Sequence, residues 1–470
     1  MMRVLLVKPG RARPIGLERM SFIEPLGLEM VAACLPEHEI RILDLRVSPY
    51  LARVLDEFRP DWCGVGCAFT TEVRSALEVA RQVKRRRPEC FTVVGGPHPS
   101  LCSEDLSDPA VDAVVVGEAE GTVPELAAAV AEGRDLSTVP GLILNGPEGQ
   151  HVTEPRAPIA DLDTLPFPAR HLVSRHHRRY YSGFQRPLAL VETARGCPHR
   201  CTFCAVWRFH QGRVRYRSPA RVVAELAQIP APYIFFTDDN FLGDVARAHE
   251  MADAVRAAGI RKTYTFQCRA DTIARHPDLL RHWREVGRLS VFVGLEKIEQ
   301  ADLDDLHKRT TVRDNQQAID TLLSLDVGFT PNFIVPPEAD RAQFARLREY
   351  VRARALHGAG FSVLTPLPGT ELYEQRKGQL LTRNCELFDL FHAVTPTRLP
   401  LAEFYQEFAS LYRAARAVHS RRRWHHLAKL LGALLSRRAS LSNMRRGMNV
   451  VRTLSDPAIY LLGHGDGAAA

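Results

Sequence analysis

Long apolar runs are missing from this chain of 470 residues. No segment approaches the roughly 18–20 uninterrupted apolar residues of a membrane span. The apolar run near the N-terminus, Val4-Leu5-Leu6-Val7, is too short for a secretory signal, and no small-residue cleavage site follows it. A disulfide scaffold is excluded too, because ten cysteines in a chain this long fall far short of the density of small secreted domains. Acidic residues are absent between Arg421 and Arg452, while the net charge of the whole chain is only +8, so the basic excess gathers near the C-terminus. What remains is ordinary globular composition, 45% hydrophobic and 25% charged, with length for about two or three domains.

Three of the cysteines stand together. Arg195-Gly196-Cys197-Pro198-His199-Arg200-Cys201-Thr202-Phe203-Cys204 spaces them as CxxxCxxC on a short, glycine-opened loop. Thiolates are soft ligands, suited to iron–sulfur clusters and zinc. A cubane cluster normally takes four thiolates, yet no fourth cysteine lies close by. Three thiolates leave one iron without a protein ligand, which suits a centre that must bind a reactant. The alternatives are a zinc knuckle or a disulfide. Zinc motifs usually pair CxxC with a second, distant pair of Cys or His, and none is obvious here.

The spacing, with Phe203 just before the last cysteine, resembles the radical S-adenosylmethionine (SAM) superfamily. That resemblance implies a [4Fe–4S] cluster on Cys197, Cys201 and Cys204, with the amino and carboxylate groups of SAM on the fourth iron. It further implies one-electron cleavage of SAM to methionine and a 5′-deoxyadenosyl radical. Such a cluster needs a reducing compartment, so a cytoplasmic location is expected.

Residues 1–145 read as a doubly wound parallel sheet, an α/β unit, because short apolar runs alternate with amphipathic helices. Strands are expected at residues 3–7, 40–44, 62–67, 91–96 and 113–117. Ligands bind such sheets at the carboxyl ends of the strands. There stand Thr70 and Thr71, then Gly95-Gly96-Pro97-His98, then Gly117-Glu118. Glycine at a strand end lets backbone approach a flat, bulky ligand, although ordinary turns also favour Gly and Pro. This set of loops, placed before a radical SAM motif, resembles the cobalamin-binding domain of B12-dependent radical SAM enzymes. The Asp-x-His-x-x-Gly motif that supplies a histidine beneath cobalt in other B12 domains is absent. Cobalamin bound without a protein histidine below it is therefore expected, with His98 a ligand only in principle.

Residues 146–186 form a linker rich in Pro, Arg and His, similar to the connector before the barrel in this subfamily, or else a plain extended segment stiffened by proline. Residues 187–373 repeat strand and helix at the spacing of a partial (β/α) barrel, with chemistry expected at the carboxyl ends of its strands. Asp238, Asp239 and Asn240 stand at one such end and offer acceptors suited to an ammonium group. The resemblance places the amino group of SAM there, and Arg269 opposite its carboxylate, which a guanidinium matches bidentately. Glu296 occupies a further position where the family contacts SAM, followed here by Lys297 where the family often has Ser. Each could instead be a loop charge or a helix cap.

Residues 374–470 read as a helical C-terminal region with a basic tail. Between Arg421 and Arg438, Trp424, Leu427, Leu431 and Leu434 share a helical face flanked by Arg and Lys. Such a helix can lie on an anionic membrane surface at the inner face, or pack on the barrel. The resemblance is strongest to hopanoid C-3 methylase-type enzymes. It implies a cobalamin-dependent radical SAM C-methyltransferase with a hydrophobic small-molecule substrate, a reductant protein such as a flavodoxin or ferredoxin, and no nucleic acid partner. A B12-dependent oxidative cyclase and a non-catalytic cobalamin or redox sensor are the alternatives. No catalytic residue beyond the cofactor ligands is assigned. Anaerobic reconstitution should give about four irons per chain, and the triple Ala variant of Cys197, Cys201 and Cys204 almost none; bound zinc without iron would contradict the cluster.

Overall fold

The computed structural model describes residues 1–10, 21–417 and 452–464. Its first sheet has seven strands: β1 Arg3–Lys8, β2 Glu39–Asp44, β3 Trp62–Gly66, β4 Phe91–Gly95, β5 Ala113–Val115, β6 Leu142–Gly146 and β7 Gly149–Val152. They lie in the order β2-β1-β3-β4-β5-β6-β7. The first five pair in parallel, and β6 and β7 close the edge as an antiparallel hairpin. The near-continuous apolar runs follow from coverage on both faces. Leu5, Val7, Val65 and Val94 pack one way, against Leu55, Phe58, Val79 and Val83. Val4, Leu6, Val93 and Val115 pack the other way, against Ala32, Val123 and Leu126.

The expected doubly wound sheet is therefore present, with two differences in detail. The sheet continues through β7 to Val152, past the expected boundary at 145. Gly95-Gly96-Pro97-His98 is also more than a loop, because Pro97–Leu101 forms a short helix with Pro at its start, where the missing N–H is harmless. The segment before the barrel is no bare linker either. Its Arg170–Arg179 stretch is a run of 3₁₀ turns, and Arg221 stacks over Phe167 at 3.7 Å.

The second sheet has six strands: β8 Leu188–Val191, β9 Tyr233–Phe236, β10 Thr263–Arg269, β11 Arg288–Glu296, β12 Gly328–Val335 and β13 Gly360–Val363. All pair in parallel, in sequence order, the arrangement of a partial barrel with helices outside. The helix Pro219–Gln228 starts where the Ser218 hydroxyl accepts from the Arg221 amide at 3.2 Å. Beyond the barrel, Leu401–Ala417 packs against Arg341–Ala353 through Phe404 on Phe344, centroids 5.5 Å apart. The chain returns at Ala458–Leu461, whose Tyr460 stacks on Tyr405 at 5.5 Å. No helix among the described residues is long and apolar enough to cross a membrane. The basic stretch between Arg421 and Arg438 lies outside the described residues.

Trp283 is the keystone between the barrel strands and their outer helices. It is fully buried, meets the edges or faces of Phe241 at 5.1 Å and Tyr264 at 5.5 Å, and donates from its indole nitrogen to the Ala248 carbonyl at 3.0 Å. Trp283→Ala should lower unfolding stability by about 3–5 kcal/mol, read as a shift in the denaturant midpoint; an unchanged midpoint would contradict this packing role.

Candidate active site

β8 delivers the chain into the cysteine loop, and Asp238 at the end of the neighbouring β9 fixes the exit. One carboxylate oxygen accepts from the amides of Thr193 at 2.7 Å and Ala194 at 3.1 Å, and the other accepts from the Thr193 hydroxyl. Burial outweighs these bonds and pushes the Asp238 carboxyl up to about 6. Arg247 holds the same turn from behind, donating to the Thr193 and Arg217 carbonyls at 2.9 and 3.0 Å.

Gly196 then has φ +95°, and any Cβ there would collide with the Arg213 carbonyl oxygen. Only glycine lets the loop pass this point. Ala194–Arg195 and Arg215–Tyr216 pair as a two-residue antiparallel ribbon that brackets the loop. Phe203 packs with Leu306, Leu364 and Leu372. Thr202 donates its amide to Leu306 O and accepts from the Leu372 amide, and the Trp207 indole reaches the Cys201 carbonyl at 3.1 Å.

The three thiols are thereby held on one turn. Burial raises each of them, the Cys204 thiol to about 12, and neighbouring cysteines add to the rise at Cys197 and Cys204. Among the described residues no three His, Cys, Asp or Glu converge enough to hold a single metal ion. Three thiols on one turn are a donor set that fits an iron–sulfur cluster with one iron open.

Of the strand-end residues expected around SAM, the structure gathers all five near this loop but gives them different partners. Asp238 is consumed by the loop itself. Asp239 keeps part of its surface open to solvent, while its carboxyl takes the Gly196 amide and is desolvated by the protein packed round it. That desolvation first, and then the Asp238 and Glu192 charges close by, push the carboxyl up to about 7. A site so rich in negative charge welcomes an ammonium. Asn240 lines a cavity of about 240 Å³ with Gly196, Pro198, His199 and Tyr216. Arg269 is anchored by Asp271 at 3.0 Å, the Lys308 carbonyl at 2.7 Å and the Thr310 hydroxyl at 2.7 Å, and it also hydrogen-bonds the Cys201 thiol. Glu296 sits beyond a register shift in β11 with φ +61°, a conformation uncommon outside glycine and concentrated at functional sites. It accepts from Lys308 at 2.7 Å. Lys308 carries no sequence signal that marks it as part of the site.

The strand ends of the first sheet form the facing wall. Gly96 has φ +135° and is pressed so tightly on the Cys67 carbonyl that no Cβ fits. Gly117, φ +80°, has nothing within 4 Å of the place a Cβ would take. The Ser100 hydroxyl joins these two loops, donating to Gly96 O at 2.8 Å and accepting from the Gly117 amide at 2.9 Å. Thr71 is buried, and Pro97 is exposed. His98 is buried with both nitrogens engaged: Nδ1 lies 3.1 Å from the Thr70 hydroxyl and Nε2 lies 3.0 Å from Asp105. A carboxylate only accepts, so Nε2 donates to Asp105, and Nδ1 pairs with the Thr70 hydroxyl. This open, glycine-lined wall fits a flat cofactor, and His98 is tied to protein rather than directed at it.

Glu118 does not face the open wall. Its oxygens meet Arg215 at 2.8 Å each, and Arg195 at 3.0 Å. Arg195 also meets Glu120 at 2.5 Å and Glu192 at 2.9 Å. Sequence reasoning missed this buried cluster, because pairs some 75 residues apart leave no periodic signal.

A family model for the B12 binding domain matches residues 12–127, and one for the radical SAM superfamily matches residues 191–351. The hopanoid C-3 methylase of Methylococcus capsulatus is 33% identical, over 94% of this chain and 86% of that protein. The anaerobic magnesium-protoporphyrin IX monomethyl ester cyclase of Rubrivivax gelatinosus is 28% identical, over 72% of this chain and 62% of that protein. The solved structure of the cobalamin-dependent SAM radical enzyme OxsB, with aqua-cobalamin and SAM bound, superposes with a TM-score of 0.68 at 16% identity, over 92% of this chain and 71% of that one; at that identity the likeness is one of fold.

Because both His98 nitrogens are engaged, Co(II) cobalamin on this protein should show no nitrogen superhyperfine splitting from His98. The His98→Ala spectrum should match the wild type. Splitting present in the wild type and lost in the variant would make His98 a cobalt ligand.

Proposed function

The chain belongs to the cobalamin-binding radical SAM family and is a radical SAM methyltransferase, and from that premise we propose that it methylates an unactivated carbon of a hopanoid-like lipid. The observation that supports this substrate class is coverage. The similarity to the Methylococcus hopanoid methylase runs over 94% of this chain, through both domains and into the C-terminal region. The similarity to the Rubrivivax cyclase covers 72%.

When bound, the cluster supplies the electron that splits SAM and cobalamin carries the methyl group, a division in which the cofactors hold the difficult chemistry. The chain's own residues place and shield them. Cys197, Cys201 and Cys204 would hold the cluster. Asp239 and Asn240 offer acceptors to the SAM ammonium. Arg269, anchored by Asp271, sets a positive charge beside Cys201. Thr70, Thr71, Gly95, Gly96 and Gly117 would form the surface on which cobalamin lies. The reading implies a reducing partner such as a flavodoxin or ferredoxin, and a peripheral membrane contact through the basic stretch would bring the enzyme to a lipid substrate.

The test is anaerobic turnover of the reconstituted enzyme with a hopanoid and methyl-deuterated SAM. A deuterated methyl group should appear in the lipid, with S-adenosylhomocysteine and 5′-deoxyadenosine formed in equal amounts. Accumulation of 5′-deoxyadenosine with no labelled lipid would favour the cyclase reading instead.

A further inference from the structure

The ribbon that brackets the cysteine loop is too short to hold itself. Its two strands contribute two residues each, and so small an isolated hairpin is marginal in water. Asp238 holds it from within its own domain through the Ala194 amide, and Glu118 holds it from the other domain. The Glu118 carboxylate reaches both strands of the ribbon at once: Arg195 on one at 3.0 Å, and Arg215 on the other at 2.8 Å through each oxygen. The Ile159 amide donates to it at 2.7 Å. The side chains of Glu118, Arg195 and Arg215 are only 8%, 8% and 10% exposed. Burial alone would raise the Glu118 carboxyl, but Arg215, Arg195 and the Ile159 amide outweigh it and hold it at about 2, so it is ionised near neutral pH.

On its other side Glu118 follows Gly117, whose backbone takes a left-handed turn onto the open wall and is tied through Ser100 to Gly96. On the far side Arg195 is followed by Gly196 and Cys197. Glu118, with Glu120 beside it on Arg195, therefore joins the wall where a flat cofactor lies to the turn that carries the thiols, and it alone also reaches Arg215.

Resting on the assignment of the two cofactors above, we infer that Glu118 is a positioning residue that couples the sites, so that loading the cysteine loop with its cluster tightens cobalamin binding and the reverse. Ordering the ribbon serves both sites, so the second group to bind meets a segment already ordered. Coupling between binding sites is reciprocal, so either affinity reports it.

The experiment measures hydroxocobalamin affinity, from its absorbance change, on full-length protein reconstituted with its cluster and on the same protein stripped by chelator. The wild type should bind about tenfold more tightly when the cluster is present, within the usual range of such coupling. In Glu118→Gln the ratio should fall to about one while both cofactors still bind. Arg215→Gln removes the two Arg215 contacts from the ribbon side and leaves Arg195 on Glu118; it should lower the ratio as well and carries the test where Glu118→Gln does not fold. A wild-type ratio of one overturns the inference. So does a ratio that survives in the variants with both affinities weakened equally, which is what a merely structural role would give. A wild-type protein that binds no hydroxocobalamin in either state overturns the cofactor assignment, and the inference with it.

Discussion

Arg195 has to be kept charged away from water, and that requirement ties the two halves of the molecule together. A guanidinium buried without partners is very unfavourable, and removing one partner of such a group is strongly destabilising. Here Glu192 comes from its own strand end, whereas Glu118 and Glu120 come from the first domain. The residue that opens the cysteine motif is thus satisfied only when the first sheet is docked. Buried ion pairs of this kind add little net stability, but they tolerate few alternative geometries. Neighbouring contacts agree in direction. Leu101, at the end of the helix after Gly96, packs under Gly369, and Arg208, just past Cys204, donates to the Gly369 carbonyl at 3.2 Å. A second buried cluster, in which Arg170 meets Glu24 and Glu225, fastens the connecting segment to the base of the barrel.

Much of the fold was legible in the sequence because local signals carried it. Short β-branched runs between amphipathic helices mark a parallel sheet wherever both faces are covered, and strands expected in both domains lie where the runs are. The cysteine spacing was legible for a related reason, since cluster ligation is a local geometric demand. What was not legible is long-range. The hairpin β6–β7 has one largely exposed strand with weak patterning, GQHV, and it carries the first sheet past the expected boundary. The partners of Glu118 and Asp238 lie dozens of residues away in sequence, as do the Lys308 and Thr310 partners of Arg269. Strand-end position marked all three as polar residues near the chemistry, but could not distinguish a side chain that faces a ligand from one that holds the backbone around it.

That distinction orders the site. Asp238, Glu118 and Arg195 are spent chiefly on placing the loop. Asp239, Asn240 and the glycine-lined wall keep open faces. Rigid placement of two large groups by an outer layer of satisfied charges, with small residues where those groups approach, is how a protein holds reacting partners in register while doing little covalent chemistry itself.

The central claim is that the cysteine loop and the glycine-lined wall form one site. Electron paramagnetic resonance of protein carrying both the reduced cluster and Co(II) cobalamin tests it most directly. Two paramagnets in one site should broaden and speed the relaxation of each other, so the spectrum should differ from the sum of the spectra of protein loaded with either alone. A spectrum equal to that sum would place the two groups far apart and contradict the account.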